Sequence, residues 1–359
     1  MYGHDIIVIG ASAGGIDALV KLVADLPADL PAAIFVVVHV SPNSPSLLPT
    51  ILSRRGVLPA LHPADGEEIR PGMIYVAPPD QHLLIKSNFI KLTRGAKENR
   101  NRPSVDPLFR SASRVYGPRV IGVILSGTLD DGTAGLLAIK VRGGTTVVQD
   151  PEDALYSGMP RSAIENVEVD YVLPVSEIAS ALVRLAREQA AVAKEDPAVE
   201  KKDIEADAAE LDMTAMRQMN QLGRPSDFSC PDCKGVLIEV EEEGLLRFRC
   251  RVGHAYSTES LIAGQSEAVE QAMWVALRSL EEKAAFLRKI AEKLGGREHF
   301  GSERRFELQA METERQATII RNVLLTSHPL DVEGADSNRR VSVGPRSALE
   351  AGEPPRSAD

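Results

Sequence analysis

The stretch from Asp5 to Leu19, Asp-Ile-Ile-Val-Ile-Gly-Ala-Ser-Ala-Gly-Gly-Ile-Asp-Ala-Leu, constrains this chain more than any other. A short apolar strand runs into a glycine-flanked serine and then into a helix. Ser12 lies in Gly10-Ala-Ser-Ala-Gly14, a G-x-S-x-G match. This spacing predicts a hydroxyl at the carboxyl end of a strand, beside helix N-terminal amides that can stabilise an oxyanion. A turn of this kind also suits a phosphate. The G-x-G-x-x-G spacing and the P-loop lysine are both missing, which counts against a nucleotide.

The same strand-then-helix alternation continues to about residue 187. Strands are expected at Asp5–Ile9, Ala33–His39, Met73–Ala77, Val120–Leu125, Thr145–Gln149 and Tyr171–Leu173. Helices are expected at Ile16–Ala24, Ser46–Arg54, Val105–Val115, Thr133–Val141, Pro160–Asn166 and Val175–Glu188. Such alternation predicts an α/β fold, a doubly wound, mostly parallel, Rossmann-like sheet covered on both faces. His82–Ile85 and Phe89–Leu92 read as an inserted hairpin around Lys86-Ser-Asn88. The net charge of −10 argues against a general nucleic-acid binder. No apolar run is long enough to span a bilayer, and no signal core opens the chain, so a cytoplasmic protein without membrane insertion is expected.

In a doubly wound sheet the ligand site lies at the carboxyl ends of the strands. Two further polar features end strands there. Ile34–Val38 runs into His39, and Val120–Leu125 runs into Ser126-Gly-Thr-Leu-Asp-Asp-Gly132. A serine needs a base within reach, and an imidazole near neutrality can take and return its proton. A buried carboxylate, Asp131 or Asp130, would orient that imidazole. Backbone amides of Ala13 and of Gly127–Thr128 are candidate oxyanion donors. Taken singly, a strand-end histidine such as His39 is more often structural than catalytic, and Asp130-Asp-Gly132 reads as a turn and helix cap. Convergence of three strand ends favours the catalytic reading.

Five motifs then occur in order: Ile9-Gly-Ala-Ser-Ala-Gly-Gly15, His39, Arg102-Pro-Ser-Val-Asp106, Ser126-Gly-Thr-Leu-Asp-Asp-Gly132 and Gly158-Met-Pro-Arg161. Over residues 1–187 the chain resembles the catalytic domain of the CheB-type chemotaxis protein-glutamate methylesterases. The resemblance implies a serine hydrolase that demethylates glutamate γ-methyl esters on chemoreceptor-type helical proteins, releasing methanol, with glutamine deamidation in many members. Carried over by motif, Ser12 is the nucleophile, His39 the base, Asp131 the orienter, and the Ala13 and Thr128 amides the oxyanion hole. Ala13, Thr128 and Val40 stand where the family commonly has threonine, methionine and methionine. Arg102 and Asp106 receive no chemical step, and Met159 and Arg161 read as a rim loop or as packing. With its first catalytic strand at Asp5, the chain is expected to lack the family's N-terminal receiver domain. A scaffold that keeps the fold, or a serine esterase or amidase with another substrate, are the alternatives.

The composition changes beyond residue 187. Residues 188–225 read as a charged, alanine-rich linker, 226–262 as a zinc-ribbon-like module, 263–326 as a helical hairpin, and 327–359 as a disordered tail. All three cysteines fall in the module, as Cys230-x₂-Cys233-x₁₆-Cys250-x₃-His254. That spacing suits a structural tetrahedral zinc site with a hairpin, Val236–Val240 and Leu245–Phe248, between the ligand pairs. No cofactor is expected for catalysis. A helix over 264–294 carries an apolar seam, Met273, Leu277, Leu280, Ala284, Leu287, Ala291 and Leu294. A second, from about Glu298 to Leu325, carries Phe306, Met311, Ile319 and Val323. The two are expected to pair antiparallel, with docking on a helical partner or self-association as further roles.

Overall fold

A computed structural model describes residues 3–43, 45–191, 223–242, 244–294 and 300–326. The central part of the expected linker, residues 295–299 between the two expected C-terminal helices, and the expected tail from residue 327 lie outside them. The strands are β1 (Ile6–Ala11), β2 (Ala33–Val38), β3 (Ala60–Leu61), β4 (Ile74–Val76), β5 (His82–Lys86), β6 (Phe89–Thr93), β7 (Val120–Ile124), β8 (Thr145–Gln149) and β9 (Tyr171–Leu173). The helices are α1 (Gly15–Ala24), α2 (Leu48–Arg55), α3 (Val105–Tyr116), α4 (Thr133–Val141), α5 (Gly158–Asn166) and α6 (Val175–Arg187). Seven strands form one sheet in the order β3-β4-β2-β1-β7-β8-β9, and every pair is parallel. β5 and β6 make the expected hairpin.

Alternation along the strands decides which helices cover which face. Ile7, Ile9, Ile34, Val36 and Val123 pack with α1, α2 and α6, whereas Ile6, Val8, Phe35 and Val37 pack with α3, α4 and α5. Successive side chains of a strand point to opposite faces, so strands buried on both sides read as continuous apolar runs. The order reverses between β1 and β7, and this switch point is where a doubly wound sheet opens a crevice. In register, Gly10 pairs with both Val37 and Ile124, so β2, β1 and β7 end at one level. Gly10 also admits α3: a Cβ there would lie 2.3 Å from a Val105 methyl.

The C-terminal part adds β10 (Arg224–Ser229), β11 (Val236–Glu242), β12 (Leu245–Cys250) and β13 (Ala255–Ser257), a four-stranded antiparallel sheet. Helices α7 (Thr258–Leu294) and α8 (Phe300–Thr326) follow and pack on one another. The α7 seam is as expected at Leu277, Ala284, Leu287 and Ala291, all buried. The α8 stripe is shifted: Met311, Ile319 and Val323 are exposed, and Ala310, Thr313 and Ala317 face α7. Small side chains let the two helices approach closely, so the bulky residues fall outside the contact. β10 and β13 were not expected from the sequence. β13 is only three residues long, and β10 carries proline and polar residues.

Candidate active site

Ser12 follows β1 on a turn that needs a left-handed residue, and Gly14 supplies it at φ 71°. His39 follows β2 directly, and its amide bonds the Ala11 carbonyl at 3.3 Å. Asp131 lies in the loop between β7 and α4. The three side chains meet: His39 Nδ1 is 3.1 Å from Ser12 Oγ, and His39 Nε2 is 2.7 Å from Asp131 Oδ2. An ionised carboxylate only accepts, so Nε2 carries the imidazole proton and Nδ1 offers its lone pair to the serine O–H.

Asp131 is buried, yet well supplied with donors. The Val105 amide donates at 2.8 Å and the Asp106 amide at 3.3 Å, so the carboxylate sits on the N-terminus of α3. Ser104 Oγ donates at 2.9 Å and Asn99 Nδ2 at 2.8 Å. Burial alone would push this carboxyl up. The His39 bond and charge, the Val105 amide and Asn99 together hold it below the usual carboxylate range. Asp106 goes the other way, raised by burial and by the neighbouring Asp131 charge.

The Ser126–Thr128 loop lies against the serine turn. Ser12 N–H is spent on the Ser126 carbonyl at 3.0 Å, and Gly127 N–H on that of Tyr156 at 3.0 Å. Among the described residues, the Ala13 and Thr128 amides donate to no protein acceptor. Leu129, next in the chain, holds φ at 60°, a conformation uncommon for a branched side chain. Arg102 anchors its loop through Asp80 and the Gly95 carbonyl, and Asp106 accepts from the Gly135 amide of α4. Met159 is fully buried beside Gly127, so it packs, whereas Arg161 is exposed and reaches Ser157 and Glu152.

With this geometry in view, comparison with known proteins is specific. The CheB methylesterase family model matches residues 7–182. A putative protein-glutamate methylesterase/protein-glutamine glutaminase of Leptospira interrogans is 44% identical over 183 residues, spanning 51% of this chain and 95% of that protein. The chain belongs to the CheB methylesterase family. A protein-glutamate methylesterase/protein-glutamine glutaminase of Thermotoga maritima is 39% identical over 184 residues, half of this chain and 54% of that one. The crystal structure of the Thermotoga maritima CheB methylesterase catalytic domain superposes with a TM-score of 0.50 at 39% identity, covering 52% of this chain and 100% of that one. No helix among the described residues is long and apolar enough to cross a membrane.

Beyond the family match, the module gathers Cys230, Cys233, Cys250 and His254, with all four ligand atoms within 4.8 Å of one another. Cys233 Sγ is 3.6 Å from Cys250 Sγ, and His254 Nδ1 is 3.5 Å from Cys250 Sγ and 3.7 Å from Cys230 Sγ. The sulfurs are unbonded to one another. This donor set can hold a metal ion. Sequence reasoning passed over Asn99 and Ser104 as supports of Asp131. Ser104 did carry a signal, since a serine directly before Val-Asp-Pro is a helix N-cap signature.

Proposed function

We propose that Ser12, His39 and Asp131 are the nucleophile, base and orienting carboxylate of a protein-glutamate methylesterase that also acts as a protein-glutamine glutaminase. The observation that carries this reading is the continuous Ser12–His39–Asp131 hydrogen-bond chain inside the family-matched domain. The Ser12 hydroxyl gives its proton to His39 Nδ1 as Oγ adds to the γ-carbonyl carbon of a glutamate methyl ester. The tetrahedral oxyanion faces the Ala13 and Thr128 amides, which are free to donate. Collapse breaks the C–OCH₃ bond, and the proton on Nδ1 leaves with methanol. Water then adds to the acyl-serine, passing one proton to Nδ1; collapse breaks the Oγ–acyl bond as Nδ1 returns that proton to Ser12 Oγ, and the glutamic acid product ionises to the carboxylate by releasing its proton to solvent. With glutamine the leaving group is ammonia. The partner is a methylated chemoreceptor or a similar helical signalling protein.

The test uses the full chain and methyl-esterified receptor, with methanol as the readout. Ser12→Ala is expected to cut turnover about 10⁵-fold or more, leaving the folded chain intact. Full activity in that variant sinks the assignment.

Zinc is the metal we assign to the Cys₃His cluster. Zinc bound at about 2.0–2.3 Å sets neighbouring ligand atoms roughly 3.3–3.8 Å apart in a tetrahedron. The separations of 3.5, 3.6 and 3.7 Å fit that shape. Four protein ligands leave no open position, so the metal would cross-link the module and supply no step of the hydrolysis. By this reading residues 1–187 form the catalytic domain, 226–262 the metal module and 263–326 the helical hairpin.

A further inference from the structure

The Cys₃His module does not hang free of the catalytic part. The Asn99 amide donates to the Ala255 carbonyl of β13 at 2.8 Å, and the Ala255 amide donates to the Lys97 carbonyl at 3.3 Å. Beside this bridge, buried Glu98 receives Arg110 from its own domain at 2.6 Å and Arg249 from the module at 3.4 Å. Burial pushes the Glu98 carboxyl up, but Arg110, Arg249 and Arg247 outweigh it and hold the group ionised. A charge buried this way is costly to leave unpaired, which favours the docked arrangement.

Two side chains at this junction also serve the catalytic carboxylate. Asn99 turns its Nδ2 toward Asp131 and Asp106, both at 2.8 Å, while its Oδ1 accepts the Ser257 amide of β13 at 2.9 Å. Asp130, the residue before Asp131, is almost wholly claimed by the module. It accepts from Ser257 Oγ at 2.5 Å, from Ser260 Oγ at 2.8 Å and from the Glu259 amide at 3.2 Å. The neighbours Asp130 and Asp131 thus sit on the N-termini of two helices, α7 from the module and α3 from the catalytic domain. Asp131 is fixed from one side by its own domain. On the other it is fixed through Asn99 and through the peptide it shares with Asp130.

We propose that the docked C-terminal module is part of the apparatus that orients the catalytic histidine. Ser257 and Ser260 are positioning residues: both hydroxyls hold Asp130, the Ser257 hydroxyl also donates to Asn99 Oδ1 at 3.2 Å, and so they place Asp131 against His39. The coupling rests on the reading of Ser12, His39 and Asp131 given above. It needs no contact between the module and the substrate. A carboxylate displaced by a fraction of an ångström no longer aims the imidazole, and errors of about 1 Å originating outside the reacting centre cost on the order of 100-fold in rate. The predicted signature is therefore a change in kcat with KM untouched.

The experiment compares the full chain with Ser257→Ala/Ser260→Ala, Ser257→Thr/Ser260→Thr and Glu267→Gln. Glu267 pairs with Arg100 across the same junction but touches neither Asn99 nor Asp130. Two readouts are taken, the rate at which a fluorophosphonate probe labels Ser12 and the kcat and KM for methanol release. The double alanine variant is expected to lose about ten-fold or more in labelling rate and kcat at unchanged KM. The threonine pair should recover most of that loss, and Glu267→Gln should match the parent. Trypsin resistance of residues 223–262 reports whether the module stays docked, and loss of activity supports the proposal whether the module loosens or detaches. Parental labelling in the double alanine variant overturns it, as does a loss confined to KM. A parent chain whose Ser12 does not label at all removes the triad reading, and this inference with it.

Discussion

The catalytic domain and the C-terminal module are built on different physics, and both converge on Asp130 and Asp131. The first buries two apolar layers, one on each face of a seven-stranded sheet. Among the described residues the module has a core of six, two of them cysteines of the Cys₃His cluster, with Leu237, Phe248, Tyr256 and Leu261. Units this small rarely hold together by apolar burial alone. The difference teaches where each region is vulnerable. One fails by losing its chemistry while its fold persists, and the other fails by losing a cross-link or its seat on the neighbour.

Metal removal tests that contrast most severely. Stripping the proposed zinc with a chelator, or Cys250→Ser, is expected to withdraw about 10 kcal/mol of folding free energy from the module. Trypsin should then cut within 223–257 while the parallel sheet keeps its hydrogen-exchange protection. A fully chelated module that stays resistant breaks the comparison.

Asp131→Asn probes the opposite weakness. An amide facing Nε2 no longer enforces the tautomer that leaves Nδ1 open to Ser12, so kcat should fall about 10⁴-fold. Thermal unfolding of the domain should shift far less than its activity. Equal losses in both would mean that Asp131 is chiefly a structural residue.

The smallest effect concerns the seat between the regions. Glu259, in the first turn of α7, is pushed up to about 7 by burial and by the charges of Asp130 and Glu165. A carboxyl raised on docking binds more protons docked than free. It therefore favours docking at low pH, and that contribution is lost as pH rises from its usual range through about 7. Glu259→Gln should raise the melting temperature at pH 8 by about 2–4 °C and leave it nearly unchanged at pH 5. A gain at pH 5 that equals the gain at pH 8 would remove the titration from the account.

Apart from the two-residue edge strand β3, which was not expected, strand and helix positions in residues 1–187 were legible within a residue or two because burial on both faces leaves continuous apolar runs between glycine and proline punctuation. Ser12 and His39 stood out because each directly follows such a run, and the Asp130-Asp131 pair because it lies in the short loop that the β7 run feeds. The phase of α8 was misread because its contact face is made of Ala310, Thr313 and Ala317, whose weak hydropathy is masked by the exposed Met311 and Ile319.

The amino-acid sequence by itself determined the parallel α/β architecture, the strand-end location of the serine and histidine, and the grouping of Cys230, Cys233, Cys250 and His254. These follow from periodicity and spacing, which are local properties of a chain. Only the tertiary structure decided which nitrogen of His39 faces Ser12, that Asp131 rests on the N-terminus of α3, and that Asp130 belongs to the module. It alone brought Ser257 onto Asn99 across 158 positions of chain. A hydrogen bond between such distant residues leaves no period in the sequence, because it depends on how two surfaces far apart in the chain meet.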